Sequence, residues 1–395
     1  YAKDIRKQFF YADAAGIWDG NYLNWLTMRR MDAVRKVLVG GKIQDRNGTL
    51  IDGKQWFILE GQNEPLDYTF KKKYANSALL SPITNNAEVL ISEGSFSATS
   101  GEGTSIIQVN ENVEIGRVTI SRDRDDQNGY LVEFKNIYDV VPAVVAAGLS
   151  YNGGQPALPR VFDVTQTSFR IQIDEWEYLD GNHTTENISF IVARPGVHNI
   201  NIRDTINGPA KSIQLSAGNN IVTNYIYQGN TFFGNMLTRI YTNIFPNNIA
   251  LFTGVSSKNN TTPITTRVHP DPTLTNFSFR VGIQREDQLY SDFFDAFHPP
   301  ETVSWIAVEA AHGFLDHPLS GNAPIEIGIK NNHNSLWKTV NLQEDLFSKT
   351  PIVGVSMQSF NDEDTAVVRY GNSAITKNSF DVLIEEEQSE QSEIN

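Results

Sequence analysis

The stretch Ser168–Ala193, SFRIQIDEWEYLDGNHTTENISFIVA, decides how the rest of the chain is read. Phe169, Ile171 and Ile173 are apolar at every second position, the period of a strand with one buried face. An acidic loop centred on Trp176 follows, then a lone His183, then a second apolar run, ENISFIVA. The pattern returns at Ser278 as SFRVGIQREDQLYSDFFDAFHPPETVSWIAVEAA and at Ser379 as SFDVLIEEEQSEQSEIN. Phe279, Val281 and Ile283, and again Phe380, Val382 and Ile384, repeat the alternation, and ETVSWIAV repeats the closing strand.

The repetition extends upstream. VVPAVVAAGLSY, IFPNNIALFTGVSS and KTPIVGVSMQSF each place a proline before an apolar strand, and VEIGRVTI from Val113 matches IEIGIKNN from Ile325. Three tandem modules follow, at about 111–200, 210–322 and 323–395. Each is expected to be a small antiparallel β-sandwich with alternating inward residues. DDQNGY (Asp125–Tyr130) reads as a hairpin turn on its Asn-Gly pair, and its carboxylates lack the spacing of a calcium loop. The third copy stops where the first continues HTTENISFIVA. The expectation is that the natural chain runs on past Asn395; the alternative is that another chain supplies the strand. EEEQSEQSE then belongs to the same loop as DEWEYLDGN rather than to an acidic tail.

Residues 1–110 differ, reading as a small α+β segment. WDGNYLNWLTMRRMDAVRKVLVGGK is the one strong helix, capped by Asn21 and ended by Gly40-Gly41, with basic residues in its second half. KIQDRNGTLIDG reads as a hairpin, QWFILEG as a strand, and GSFSATSGEGTS (Gly94–Ser105) as a linker. The fold class is therefore mainly β: tandem sandwiches behind an N-terminal segment with one amphipathic helix.

Composition narrows the function. The 395 residues carry a net charge of −14, which disfavours a nucleic-acid backbone or an anionic membrane as partner, whereas a neutral glycan meets no such penalty. There is no cysteine, so disulfides, Cys-ligated zinc and thiol nucleophiles are excluded. No apolar run reaches the roughly 20 residues of a spanning helix. No nucleophile elbow, phosphate loop, zinc-protease or dinucleotide motif is present. Glu175 and Glu177, two apart on a strand, would hold Cα atoms about 6.5–7 Å apart, near glycosidase separations, yet no pocket signature accompanies them. The chain is expected not to be an enzyme, with no catalytic residue, no metal and no cofactor.

Two resemblances add to this. WDGNYLNWLTMRRMDAVRKVLVGGK resembles the N-terminal region of type IV pilus tip-associated adhesins, the PilC/PilY group, which are large secreted bacterial surface proteins. The repeats resemble the H-type lectin domain: a Pro-led strand, an SF strand, a Trp-containing loop and a closing SWIAV-like strand. That resemblance implies six-stranded antiparallel sandwiches that trimerise and bind N-acetylgalactosamine or galactose. Arg160 stands for the family's sugar-binding arginine and Trp176 for its tryptophan. Glu177 replaces the following histidine, and a residue near His183 or Thr184 replaces a tyrosine. In the other modules the Trp place holds Glu286 and Glu387, and the Arg place Pro270 and Gly371, with Arg267 and Arg369 close by.

A pyranose offers an apolar face and a ring of hydroxyls, so an indole and directional charged groups suit it. Asp174, Trp176, Glu177, Tyr178 and His183, with Arg160, supply these types and form the candidate glycan-binding set. Each also has a plainer reading. Trp176 and Tyr178 share strand parity and can cover a neighbouring module; Arg160 can pair with the acidic loop; His183 can bond a turn rather than a metal; Trp305 is expected in a core. Two functions stay open: an extracellular, cell-surface or pilus-associated bacterial adhesin binding glycans or surface polysaccharide, or a structural subunit of an extracellular filament whose modules pack against other subunits. Because the lectin-like family trimerises, the three linked copies are expected to pack as an intramolecular pseudo-trimer, or the chain to form a trimer.

Overall fold

The computed structural model describes residues 103–388 apart from 122–127, 224, 227–237, 242–247, 271–277, 287–298, 332, 362–363 and 372–374, together with the backbone of nine short strands before them. The chain divides into two compact units, Tyr1–Thr104 and Ser105–Asn395.

In the first unit the strands are β1 (Ala2–Asp4), β2 (Phe9–Tyr11), β3 (Lys42–Ile43), β4 (Thr49–Ile51), β5 (Lys54–Trp56), β6 (Leu59–Glu60), β7 (Thr69–Lys73), β8 (Glu88–Ser92) and β9 (Ser95–Ala98). They pair β1-β2, β3-β6, β4-β5 and β7-β8-β9. The hairpin expected within Lys42–Gly53 instead turns at Asp52-Gly53, pairing Thr49–Ile51 with Lys54–Trp56. Ser95–Ala98, inside the stretch read as a linker, pairs with β8. The expected amphipathic helix lies outside the described residues.

The second unit is built wholly of strands among its described residues. Its first group is β10 (Gly103–Asn110), β11 (Val113–Ile120), β12 (Tyr130–Glu133), β13 (Ala143–Ser150), β14 (Ala157–Phe162), β15 (Ser168–Glu175) and β16 (Glu186–Ala193). The next is β17 (Gly196–Arg203), β18 (Ala210–Val222), β19 (Tyr225–Ile226), β20 (Thr238–Tyr241), β21 (Ile249–Val255), β22 (Thr265–Pro270), β23 (Ser278–Gln284) and β24 (Glu301–Glu309). The last is β25 (Ala311–Leu315), β26 (Pro324–Ile327), β27 (Lys338–Asn341), β28 (Ala366–Tyr370) and β29 (Ser379–Glu386). β12 starts just after Asn128-Gly129, where Gly129 has φ +54°, as the Asn-Gly turn requires.

The first two groups share one strand order. One sheet runs β10-β11-β16-β13 and, equivalently, β17-β18-β24-β21; the facing sheet is β12-β15-β14 and, equivalently, β20-β23-β22. The third group repeats the facing sheet as β27-β29-β28 and the opening hairpin as β25-β26. Register repeats as well. Tyr130 faces Ile171, Thr238 faces Val281 and Lys338 faces Val382, each partner lying two residues beyond the module's SF phenylalanine. Strand order thus assigns β17 and β25 to the hairpins that open the second and third modules.

Alternation along these strands feeds a core inside each of the first two modules and a third core shared between modules. Val144 and Leu149 of β13, with Ile188, Phe190 and Val192 of β16, enter a core inside the first module with Phe169, Ile171 and Ile173. Their neighbours Ala143, Val145 and Ala193 face the other way, into a core shared with Ile213, Leu215, Ile306 and Val308 of the second module and Leu315 and Ile325 of the third. Val303, Trp305 and Ala307 of β24 turn inward against Phe279, Val281 and Ile283. A sheet buried on both faces reads as an unbroken apolar run, which is why VVPAVVAAGLS shows no polar alternation. Trp305 is 6% exposed and packs edge-on against Phe279, a core residue as expected.

Candidate functional site at the module seams

The ladders establish which residues are equivalent. Arg160 stands opposite Gln172, Arg267 opposite Gly282 and Arg369 opposite Leu383, each partner three residues past its SF phenylalanine. The three arginines therefore occupy one place in the repeat, a correction to the assignment of that place to Pro270 and Gly371. Counting along the chain crosses loops of unequal length; counting along a ladder does not.

All three arginines are buried, and each reaches into another module. Arg160 donates from Nε to the Ser257 carbonyl at 2.7 Å, and from Nη2 to the Asn260 carbonyl at 3.2 Å and Glu301 Oε1 at 3.0 Å. Arg267 donates from Nη1 to the Asp364 carbonyl at 2.8 Å, and its guanidinium lies 4.5 Å from the Phe360 ring centre. Arg369 donates from Nε to the Ser150 carbonyl at 2.9 Å, from Nη2 to Glu186 Oε1 at 3.1 Å, and from Nη1 to Glu385 Oε2 of its own module at 2.7 Å. It also lies 4.7 Å from the Tyr151 ring centre. The contacts run from first module to second, second to third and third to first: a heterologous interface that closes.

The carboxylates that meet Arg369 and Arg160 also repeat. Glu186 and Glu301 are the first residues of the two closing strands and are fully buried. Glu186 accepts from the Ser150 hydroxyl and from the Asn152 and Gly153 amides. Glu301 accepts from the Ser257 hydroxyl and from the Asn259 and Asn260 amides. These bonds replace the water that a buried ion pair gives up. Burial pushes the Glu186 carboxyl up, but His183, Ser150, Gly153 and Arg369 outweigh it and hold the group below the ordinary carboxylate range.

His183 joins this network rather than a solvent-facing site. Its Nδ1 lies 2.7 Å from Glu175 Oε1 and its Nε2 3.3 Å from Glu186 Oε1. Burial lowers its basicity, yet the bonds to Glu186 and Glu175 prevail and its pKa is raised. Among the described residues no group of three or more His, Asp or Glu could hold a metal ion.

The Trp place is where the three modules meet. Trp176 is fully buried beside Leu158 and against Val367 of the third module, with Tyr178 and Leu179 alongside. Its equivalents Glu286 and Glu387 are 2% and 8% exposed. The Glu177 amide donates to Glu286 Oε2 at 2.6 Å, and the Tyr178 hydroxyl accepts from the Gln388 amide at 3.2 Å. Burial, reinforced by the Glu387 and Glu177 charges, pushes the Glu286 carboxyl up to about 7. Burial, with the Glu387, Glu286 and Glu385 charges, likewise pushes the Tyr178 phenol up to about 12.

Of the candidate glycan residues, Arg160, Asp174, Trp176 and His183 are buried, Tyr178 is half-buried and Glu177 is exposed. Asp174 accepts from the Gln172 side-chain amide. Arg160 faces the second module and Trp176 packs on the third, so the six side chains do not converge on one opening. The sequence reading missed Glu175, Glu186, Glu286, Glu301, Arg267 and Arg369 as members of these networks. The signal for two of them was present: both closing strands, ENISF and ETVSW, open with glutamate. A separate cleft of about 280 Å³ lies between the first two modules, lined in part by Asp163, Asn219, Ser257, Lys258 and Asn259.

Strand order and seams together define a protein of repeated β modules, mainly β and multi-sheeted, held by a closed cycle of buried arginines. Compared with known families, residues 3–120 match the model described as the PilY1 homolog, small alpha/beta domain; this part of the chain is PilY1-like. No curated protein and no solved structure matches the chain.

Proposed function

We propose that the chain is a type IV pilus-associated, adhesin-like bacterial surface protein, non-enzymatic, in which a PilY1-like segment leads into a pseudo-trimeric block of three sandwich modules and shares β10 and β11 with the first of them. The match of residues 3–120 supports the pilus association. The observation that carries the role of the modules is the burial of Trp176 against Val367 together with the Arg160–Glu301 pair: the indole and the guanidinium of the candidate sugar-binding set are engaged in module-to-module packing. The block is thus a rigid protein-packing element that presents its outer loops to pilus or filament subunits. The test is co-fractionation: the protein should appear with sheared pili of the source bacterium and disappear from them on deletion of residues 3–102, which leaves β10 and β11 of the first module in place. Recovery independent of piliation would reject the reading.

Glycan recognition is the second reading, and the cleft between the first two modules favours it. Hydroxyl, amide, amine and carboxylate groups line a space of monosaccharide size. On a glycan array, retention of a neutral sugar that falls on Asp163→Ala would support it; no retention of any sugar would remove it.

A further inference from the structure

Each SF strand runs into a short arm: residues 176–179 after β15, 285–286 after β23 and 387–388 after β29. The three arms meet and are tied across modules. The Glu177 amide donates to Glu286 Oε2 at 2.6 Å, the Thr365 hydroxyl donates to the Arg285 carbonyl, and the Gln388 amide donates to the Tyr178 hydroxyl at 3.2 Å. These ties join first module to second, second to third and third to first, so the arms form a ring.

Three observations mark this ring as the weakest joint between the modules. It lies beyond the ladders, whose last residues are Glu175, Gln284 and Glu386, so no ladder bond has to break for it to open. Trp176 packs with Leu158 and Val367 in a small cluster separate from the module cores, and its Nε1 is buried without a hydrogen-bond partner, which disfavours the closed arrangement. The equivalent positions hold two buried carboxyls, Glu286 and Glu387. Burial opposes ionisation of Glu286 most; the Glu177 amide favours it, the Glu387 and Glu177 charges oppose it, and the Arg285 charge favours it. Tyr178, pushed up to about 12 by burial and by the Glu387, Glu286 and Glu385 charges, keeps its proton throughout. Glu286 is therefore the group in the ring that changes charge near neutrality.

We propose that the ring is a proton-closed clasp: a neutral Glu286 carboxyl keeps the three arms packed, and its ionisation releases them by a local opening that uncovers Trp176 and leaves the sandwich cores folded. In the open ring Glu286 is hydrated and ionises at its ordinary value of 4.5; in the closed ring it ionises at about 7. Closing therefore takes up one proton between these values, and opening returns it to solvent. Opening becomes easier as pH rises from 4.5 and levels off above 7. The apolar face of Trp176 is shut away in mildly acidic solution and offered to a partner in alkaline solution. The clasp depends on neither pilus association nor the glycan cleft.

The test is native-state hydrogen exchange on the 395-residue protein, following the Glu177 and Gln388 amides, which lose their acceptors when the ring opens. Corrected for intrinsic exchange, their protection should fall by about tenfold between pH 6 and pH 8. It should not respond to low urea, because a local opening exposes little surface. Glu286→Gln should remove the fall and keep the protection seen at pH 6. Glu177→Gln, at an exposed position, should leave a smaller fall, because one charge opposing ionisation of Glu286 is gone. Protection that holds steady from pH 6 to pH 8, or a fall retained in Glu286→Gln, would overturn the proposal. So would exchange that accelerates with urea in step with the amides of β13 and β16, which would show that the ring opens only when the modules unfold.

Discussion

A guanidinium that satisfies two carboxylates and several carbonyls out of water cannot be removed without leaving them stranded. Arg369→Met should therefore destabilise the protein by about 3–5 kcal/mol, the usual cost of breaking a buried pair from one side, in a denaturant titration. Lys211→Ala, which cuts an exposed pair with Asp204, should leave the denaturation midpoint nearly unchanged. Glu286 gives a pH signature. Its folded pKa, about 7, lies above the ordinary value of 4.5, so the folded state keeps a proton that the unfolded chain releases. Stability falls as pH rises from about 4.5 to 7, and Glu286→Gln should flatten that slope and raise stability above pH 7. At this scale the residue types were legible and their partners were not. Arg160 and Trp176 stood out in the sequence, but the glutamates that meet Arg160 and Arg369 lie 141 and 183 residues away along the chain.

Among the elements, the strand alternations were read directly from SFRIQI, SFRVGI and SFDVLI, and the ladders match them in register. The closing strands were legible too, but the place of Gly116 opposite Phe190 and of Gly218 opposite Trp305 was not, because a seat for a ring is visible only once two strands lie side by side. Gly116→Ala should destabilise by about 1–3 kcal/mol as the Phe190 ring is forced to shift, whereas Gly328→Ala should be near neutral; thermal melts of the two variants decide. β13 was readable as a strand from its proline and apolar run. Its burial on both faces was not, since an unbroken apolar run reads alike whether its second face meets its own module or another. Segment 351–359 shows the converse: the sequence of a Pro-led strand without the neighbouring ladder that makes it one.

For the molecule, the cores of the first two modules are joined, together with strands of the third, by the shared core of Val145, Leu215, Ile306 and Ile325. The modules should accordingly open together: in native-state hydrogen exchange, the slowest amides of β13, β16 and β24 should converge on a single opening free energy. Separate openings would show independent beads. His183 and Glu286, with raised pKa values, lose stability as pH rises, while Glu186, with a lowered one, loses it as pH falls below 4.5. The stability maximum is expected in mildly acidic solution, between the two losses. The repeats were legible as three copies; their cyclic closure depended on loops whose unequal lengths hide the equivalence of the arginines.

The meeting point of the modules carries a consequence for how such a chain can evolve. Separate identical subunits would be obliged to place the same side chain there three times over. Covalent linkage lifts that obligation, and one position of the repeat has become an indole in Trp176 and carboxyls in Glu286 and Glu387. A mutation there is read out once rather than in triplicate, so each joint can drift, specialise or acquire a switch while its two siblings keep the assembly shut.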